Sequence, residues 1–321
     1  MDFVGKRWWF FGLSALVILG GIVSMLIPPA FRVGIDFTGG SALSLTFARP
    51  VAQADLRGEL TRLGHPEAVI QRTGETSFLV RMAFLKEGRP AQGDQPAVPS
   101  EAEVIRATLA ERLAPITAME VTSVSPAIAR ETVQRAVIAV VAAAVVILFY
   151  IWFAFRRVEK AWRMGVAAVV ALVHDVLVIL GLFSLLGKAF PVEVNAMFIT
   201  AALTVVGYSV HDTIVVFDRI RENAARKVAR DLEGVVNYSV AESVGRSLNT
   251  SLTTLLVLLA LLLLGGQTLR SFLLAMAIGI VVGTYSSLFT AAQVLVAWEK
   301  GEWRGPLRRR RAAVAAPQPS A

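Results

Sequence analysis

Asp175 and Asp212 are carboxylates set inside long apolar runs, each directly after a histidine, His174 and His211; a third run is headed by Arg246, with Thr250 four residues on. An ionisable side chain near the middle of a membrane-crossing helix costs at least about 2.5–3.5 kcal/mol, so such groups mark ion routes, substrate sites or helix pairing. Asp175 stands about 12 residues into its run, or ~18 Å at 1.5 Å per residue, close to the midplane. Asp212 lies roughly 9 Å inside the end marked by Asp218. Arg246 opens the next run from that same side, so it can reach Asp212 laterally, and Thr250 shares its helix face one turn deeper. A carboxyl group that alternates between apolar surroundings and an arginine partner alternately holds and releases a proton. Asp212, Arg246 and Thr250 are therefore a candidate proton relay, and a structural ion pair locking two helices is the competing explanation of the same residues.

His174, Asp175 and His211 are secondary polar positions inside the membrane. They invite a metal reading, which the three histidines of the chain, the absence of an H-E-x-x-H motif and the different depths of the two pairs argue against. Two buried carboxylates also suggest an intramembrane aspartyl hydrolase. That chemistry needs the two groups within ~3 Å to share a proton, whereas Asp175 and Asp212 are expected several ångströms apart in depth, with no Gly-x-Gly-Asp motif around Asp212. With no cysteine, thiol catalysis, thiolate metal sites and disulfides are excluded. No cofactor is expected beyond a coupling ion, H⁺ or Na⁺.

The elements that must hold these residues are membrane helices. The 321 residues are 55% hydrophobic and 17% charged, with mean hydropathy +0.61, against about 45–50% and 25% in soluble domains. Six stretches, 8–28, 135–155, 164–186, 195–217, 248–265 and 270–298, approach the ~20 residues that cross a ~30 Å hydrocarbon core. The first ends at Ile27-Pro28-Pro29 without a cleavage pattern, so it is expected to be a retained anchor. Lys6, Arg7, Arg156, Arg157, Lys160, Arg163, the cluster Arg219 to Arg230, Arg246, and Lys300 to Arg311 flank one side, whereas the short loops opposite hold only Lys188 and Arg270. Positive flanks stay cytoplasmic, which puts both termini inside and residues 30–132 outside. The net charge of +8 does not signal nucleic acid, because residues 32–135 balance their basic and acidic side chains. Trp8, Trp9, Trp152, Trp162, Trp298 and Trp303 fit interfacial belts. Gly165, Gly181, Gly207, Gly279, Gly283, Ser286 and Ser287 fit helix contacts.

Residues 30–132 alternate in short patterns. Strands are expected at Ser41–Ala48, Ala68–Thr73, Ser77–Ala83 and Met119–Ser125, with helices at Ala52–Leu63 and from a Ser100/Glu103 capping box to about Leu113. The order β-α-β-β-α-β is the ferredoxin-like split βαβ plan. Lys86–Pro99 is a long loop within it, and His65 is expected to be a solvated turn residue. The chain thus divides into 1–29 (N-terminus and first helix), 30–132 (extracytoplasmic α+β domain), 133–300 (helices two to six) and 301–321 (a basic, disordered cytoplasmic tail).

Four segments resemble the SecF family of bacterial protein-export membrane subunits. They are Gly34-Ile35-Asp36-Phe37-Thr38-Gly39-Gly40, Ala171-Leu172-Val173-His174-Asp175-Val176, the run from Val206 to Glu222 that contains His211-Asp212, and Arg246-Ser247-Leu248-Asn249-Thr250-Ser251. The resemblance covers positions 5 to 300 in order. It implies a six-helix half of an RND-type transporter in the plasma membrane, working with SecD and YajC on the SecYEG channel. It further implies use of the proton-motive force to draw preproteins out on the far side, with Asp212 as proton carrier, Arg246 as its partner and Thr250 a turn beyond. A passive scaffold for SecD remains the alternative function. Two positions depart from the family: His211 replaces the usual Asn, and Val124-Ser125-Pro126 lacks the glycine of Val-Gly-Pro.

Overall fold

A computed structural model describes residues 2–89, 98–156, 161–190, 192–266 and 269–301. It divides into two compact units, one formed by Met1–Phe31, Val140–Ala189 and Met197–Ala321, the other by Arg32–Ala139 and Phe190–Ala196. In chain order the elements are α1 (Arg7–Leu26), α2 (Ile35–Thr38), β1 (Gly40–Phe47), α3 (Gln53–Arg62), β2 (Val69–Arg72), β3 (Ser77–Met82), α4 (Glu101–Arg112), β4 (Ile116–Val124), α5 (Pro126–Phe155), α6 (Ala161–Ala189), α7 (Ala196–Ala225), α8 (Leu232–Leu264), α9 (Arg270–Tyr285), a π-helical turn Ser286–Ala291, and α10 (Ala292–Glu299).

The α+β unit is a four-stranded antiparallel sheet of order β2-β3-β1-β4, the arrangement expected of a split βαβ plan. Alternation along β1 sends Leu43, Leu45 and Phe47 inward, against Leu56 and Leu60 of α3, Phe78 and Val80 of β3, and Ile105 and Leu109 of α4, all fully buried or nearly so. The α4 terminus carries the expected capping box. Ser100 Oγ accepts from the Glu103 amide at 3.2 Å, and the Glu103 carboxylate accepts from the Ser100 amide at 2.8 Å. β4 begins at Ile116, earlier than expected, because a register shift at Thr46/Phe47 lets Ile116 pair with Phe47. The segment entering the sheet is a helical turn, α2, followed by Gly39 at φ +74° and Gly40 at φ +123°. A side chain on Gly40 would sit 2.6 Å from the Met82 carbonyl oxygen, so glycine is required there for both torsion and space.

His65 is not solvated. Gly64, at φ +95°, ends α3 and turns the chain so that the His65 amide donates to Leu60 O at 2.9 Å; the residue is 7% exposed and its ring lies 3.3 Å from the Glu101 carboxylate. Ser125 takes over a task glycine cannot perform. Its hydroxyl accepts from the Ile128 amide at 3.3 Å, capping α5, whose first residue is Pro126. The short connection 190–196 belongs to this unit. Val33 and Val194 form a parallel bridge, Glu193 pairs with Arg81 at 3.3 Å, and Asp36 Oδ2 accepts from the Ala196 amide at 2.8 Å, placing a carboxylate on the first turn of α7.

Among the described residues six helices are long and apolar enough to cross a membrane: Arg7–Leu26, Pro126–Ala154, Trp162–Ala189, Ala196–Ala225, Leu232–Leu264 and Arg270–Glu299. Each overlaps an expected span. The fourth and fifth run beyond their apolar stretches, so Arg246 sits inside α8 rather than at its start. Asp231 caps α8, and its first turns pair with the end of α7, where Asn223 Nδ2 donates to Ser239 at 3.0 Å and to Glu242 at 3.1 Å. Helix ends are tied by ions and rings: Arg7 and Lys300 meet Glu233, Arg163 meets Glu299, and Trp162 packs edge-on against Trp298. α1 and α6 meet backbone to backbone through Gly21 and Gly181, where an added Cβ on either would lie within 2.7 Å of the other's Cα. Gly279 lies against Val205 and Gly283 against Ser209, whereas Gly207 has no neighbour within 4 Å of an added Cβ. The arginine-rich tail and Trp303 fall outside the described residues, as do 90–97 of the Lys86–Pro99 loop.

Candidate functional site

Polar side chains of α7 hydrogen-bond to α6, α8 and the π turn. Asp212 is half-buried. Its Oδ1 accepts from Ser247 Oγ of α8 at 2.8 Å, while Oδ2 is buried without a hydrogen-bond partner among the described residues. A buried oxygen left unpaired costs about 1–3 kcal/mol, so such an acceptor is a place where a proton or a donor is taken up. Around it α8 is serine-rich. Ser251, one turn from Ser247, donates to the Ser247 carbonyl at 2.8 Å and contacts Tyr208 at 3.0 Å and Thr284 at 2.5 Å. This links α7, α8 and α9 through hydroxyls at the level of Asp212.

Arg246 and Thr250 do not join Asp212 directly. Both are exposed on α8, and Thr250 Oγ1 donates back to the Arg246 carbonyl at 3.0 Å. Arg246 makes neither an ion pair nor a hydrogen bond with Asp212 Oδ2. The helix geometry explains this: Ser247 and Arg246 are neighbours about 100° apart around α8, so only one of them faces α7 in a given rotation. His211 is exposed, with Asn249 and Thr253 also on the exposed surface of α8. In sequence, Ser247 carried no signal beyond its place in a polar string, because which residue of a helix turns inward depends on its packing.

Asp175 has the opposite setting. It is fully buried, and both oxygens are engaged: Oδ1 lies 2.9 Å from His174 Nδ1, and Oδ2 accepts from Ser209 of α7 at 2.5 Å and from Ser286 at 2.8 Å. The π turn aims two consecutive serines at neighbouring helices, since Ser287 donates to the Ser209 carbonyl at 3.2 Å and contacts Thr213 at 2.8 Å. Asp175 and Asp212 therefore have separate partners, and no hydrogen bond joins them. Among the described residues no cluster of three or more His, Asp or Glu forms a metal-binding group.

The chain is similar to known proteins over most of its length. The family described as "Protein export membrane protein SecD/SecF, C-terminal" matches residues 105–301. The protein translocase subunit SecF of Thermobaculum terrenum is 41% identical over 319 residues, covering 96% of this chain and 97% of that protein. The corresponding subunit of Escherichia coli O157:H7 is 34% identical over 293 residues, covering 91% and 85%. Among solved structures, SecDF from Thermus thermophilus, a translocon-associated membrane protein, aligns with a TM-score of 0.77 at 36% identity. SecDF in a super-membrane-facing form aligns with a TM-score of 0.63 at 34% identity. This chain covers 94% and 98% of itself in those matches but spans 39% and 40% of the solved chains.

Proposed function

This chain belongs to the SecF family of multi-pass protein-export membrane proteins, and from that premise we propose that it couples the proton-motive force to preprotein translocation, with Asp212 as the proton carrier. It assembles with SecD, acts on SecYEG with YajC, and works in the bacterial plasma membrane with both termini cytoplasmic and the α+β unit outside. The observation that carries this proposal is the buried Oδ2 of Asp212, unpartnered among the described residues, on a helix long and apolar enough to cross a membrane.

Two occupants fit that oxygen. One is a proton; the other is the Arg246 guanidinium, brought inward by rotation of α8 past Ser247. They exclude each other, so proton uptake and helix position become linked. A proton moving through 100 mV supplies about 2.3 kcal/mol, enough to bias a helix rotation and too little to unfold cargo. The cycle is accordingly one of repeated small movements transmitted to the outside unit. H⁺ is the coupling ion of this scheme, and Na⁺ would need further oxygen ligands at the same place.

The exposed polar surface of α8 supports a SecD partner. Arg246, Asn249, Thr250 and Thr253 share a helix with exposed Leu248, Leu252 and Leu256, and such polar groups facing lipid are costly. A second six-helix half covering them would shield them from lipid and complete the proton route.

The test is preprotein export at fixed proton-motive force in vesicles carrying Asp212→Asn, with SecD association measured in parallel. Export lost while the complex still forms supports Asp212 as carrier. Export retained reduces Asp212 and Ser247 to a helix-locking pair, and export lost only together with assembly supports the scaffold alternative.

A further inference from the structure

The mechanism above leaves unused the most deeply buried ionisable group in the helical unit. Asp175 is 0% exposed and His174 6% exposed, and both lie midway along α6. Their hydrogen bonds continue outward: His174 Nε2 lies 3.0 Å from Ser14 Oγ of α1, Ser14 Oγ lies 3.3 Å from Tyr285 Oη, and Tyr285 Oη donates to the Phe10 carbonyl at 2.8 Å. The Tyr285 ring stacks on His174 with centroids 6.0 Å apart. We propose that His174 and Asp175 form a second proton-binding site, separate from Asp212, which holds one exchangeable proton between α1, α6, α7 and the π turn.

The hydrogens of the site can be arranged in two complete ways. Ser209 and Ser286 donate to Asp175 Oδ2 in every state. Without the extra proton, His174 Nδ1–H donates to Asp175 Oδ1, Nε2 is an acceptor, and Ser14 must donate to it; Tyr285 donates to Phe10 O. With the extra proton, Oδ1 carries hydrogen and donates to Nδ1, and the imidazole hydrogen sits on Nε2 and donates to Ser14. The Ser14 hydroxyl then turns and donates to Tyr285, which still donates to Phe10 O. Every polar atom is satisfied in both arrangements. Proton uptake therefore needs one hydroxyl rotation and no movement of a helix.

Charge decides that the proton is held. The groups facing the pair are Ser14 from α1, Ser209 from α7, and Tyr285 and Ser286 from the last helix; His174 is the only basic group within ion-pair distance of Asp175 among the described residues. Without the proton the site contains a buried negative charge with no cation, and a buried charge without a counter-charge is strongly disfavoured. With it the site is neutral. The π turn adds to the case, because such interruptions of an α-helix concentrate at functional positions.

The test uses the full-length chain in lipid nanodiscs and reads the infrared absorption of protonated carboxyl groups while pH is varied across the range in which the protein stays folded. In an Asp212→Asn background, a titrating protonated-carboxyl band is expected to remain and to disappear on adding Asp175→Asn. Tyr285→Phe removes the acceptor that Ser14 needs only in the protonated arrangement, so it should move the midpoint of that band to lower pH. A band that survives Asp175→Asn, or one that does not titrate, overturns the proposal and leaves Asp175 as fixed structure. Should Asp175→Asn not fold, Tyr285→Phe decides alone, because it keeps every group touching the carboxylate; an unmoved midpoint then overturns it. The readout is proton occupancy rather than export, so failure here leaves the role of Asp212 standing, and failure of that role leaves this site standing.

Discussion

Ser247 donates a 2.8 Å hydrogen bond to Oδ1 of Asp212, and this contact, rather than an arginine–carboxylate pair, joins α7 to α8 at the proposed carrier. The serine fixes the carboxyl plane and leaves the second oxygen open.

Ser247→Ala removes that fixing bond and keeps the proton-accepting oxygen. Loss of one such bond costs about 0.5–1.5 kcal/mol, so a modest drop in melting temperature is expected. Export should fall less than in Asp212→Asn, which removes the carrier itself. Melting and vesicle export measured on the two variants together check this, and equal export loss in both would place the essential function in the hydrogen bond.

At the crossing of α1 and α6, Gly21→Val or Gly181→Val should push the helices apart. An added Cβ meets backbone there and not a flexible side chain, so neither helix can yield cheaply, and overpacking of this kind costs about 1–3 kcal/mol or more. Gly20→Val is the matched control, because nothing lies within 4 Å of a Cβ on Gly20. Thermal stability in detergent should fall for the first two and stay unchanged for the third.

Glu193 lies outside the membrane-spanning helices, and burial pushes its carboxyl above the ordinary value of 4.5. Arg81 and Arg32 pull it back down, and Asp36 adds to the rise. Because the native value is the higher one, the folded state holds the proton more tightly. The stabilisation is fully present below pH 4.5 and is lost as pH rises through the native value. Melting of the intact protein should therefore drop slightly as pH rises from acid toward neutral, and Glu193→Gln should flatten that slope. An identical pH profile in the variant would remove Glu193 as its source.

Much of this architecture was readable from residue order. Run length and hydropathy placed the six long helices, because about 20 apolar residues admit few other structures. Alternation in Ser41–Ala48 and the Ser100/Glu103 box located sheet and helix in the α+β unit, because both signals are local. Asp175 and Asp212 stood out because charge inside an apolar run is rare. Rotation of the helices could not be read. A helix that is apolar nearly all round has no polar face to set its orientation, so the choice of Ser247 over Arg246 as the neighbour of Asp212 was made by packing. The same holds for Ser14 and Tyr285 reaching His174 from the two ends of the chain, for Asp36 on the first turn of α7, and for the burial of His65. Each of these contacts joins residues whose separation in sequence carries no period, and only close packing of distant segments brings them within hydrogen-bond range.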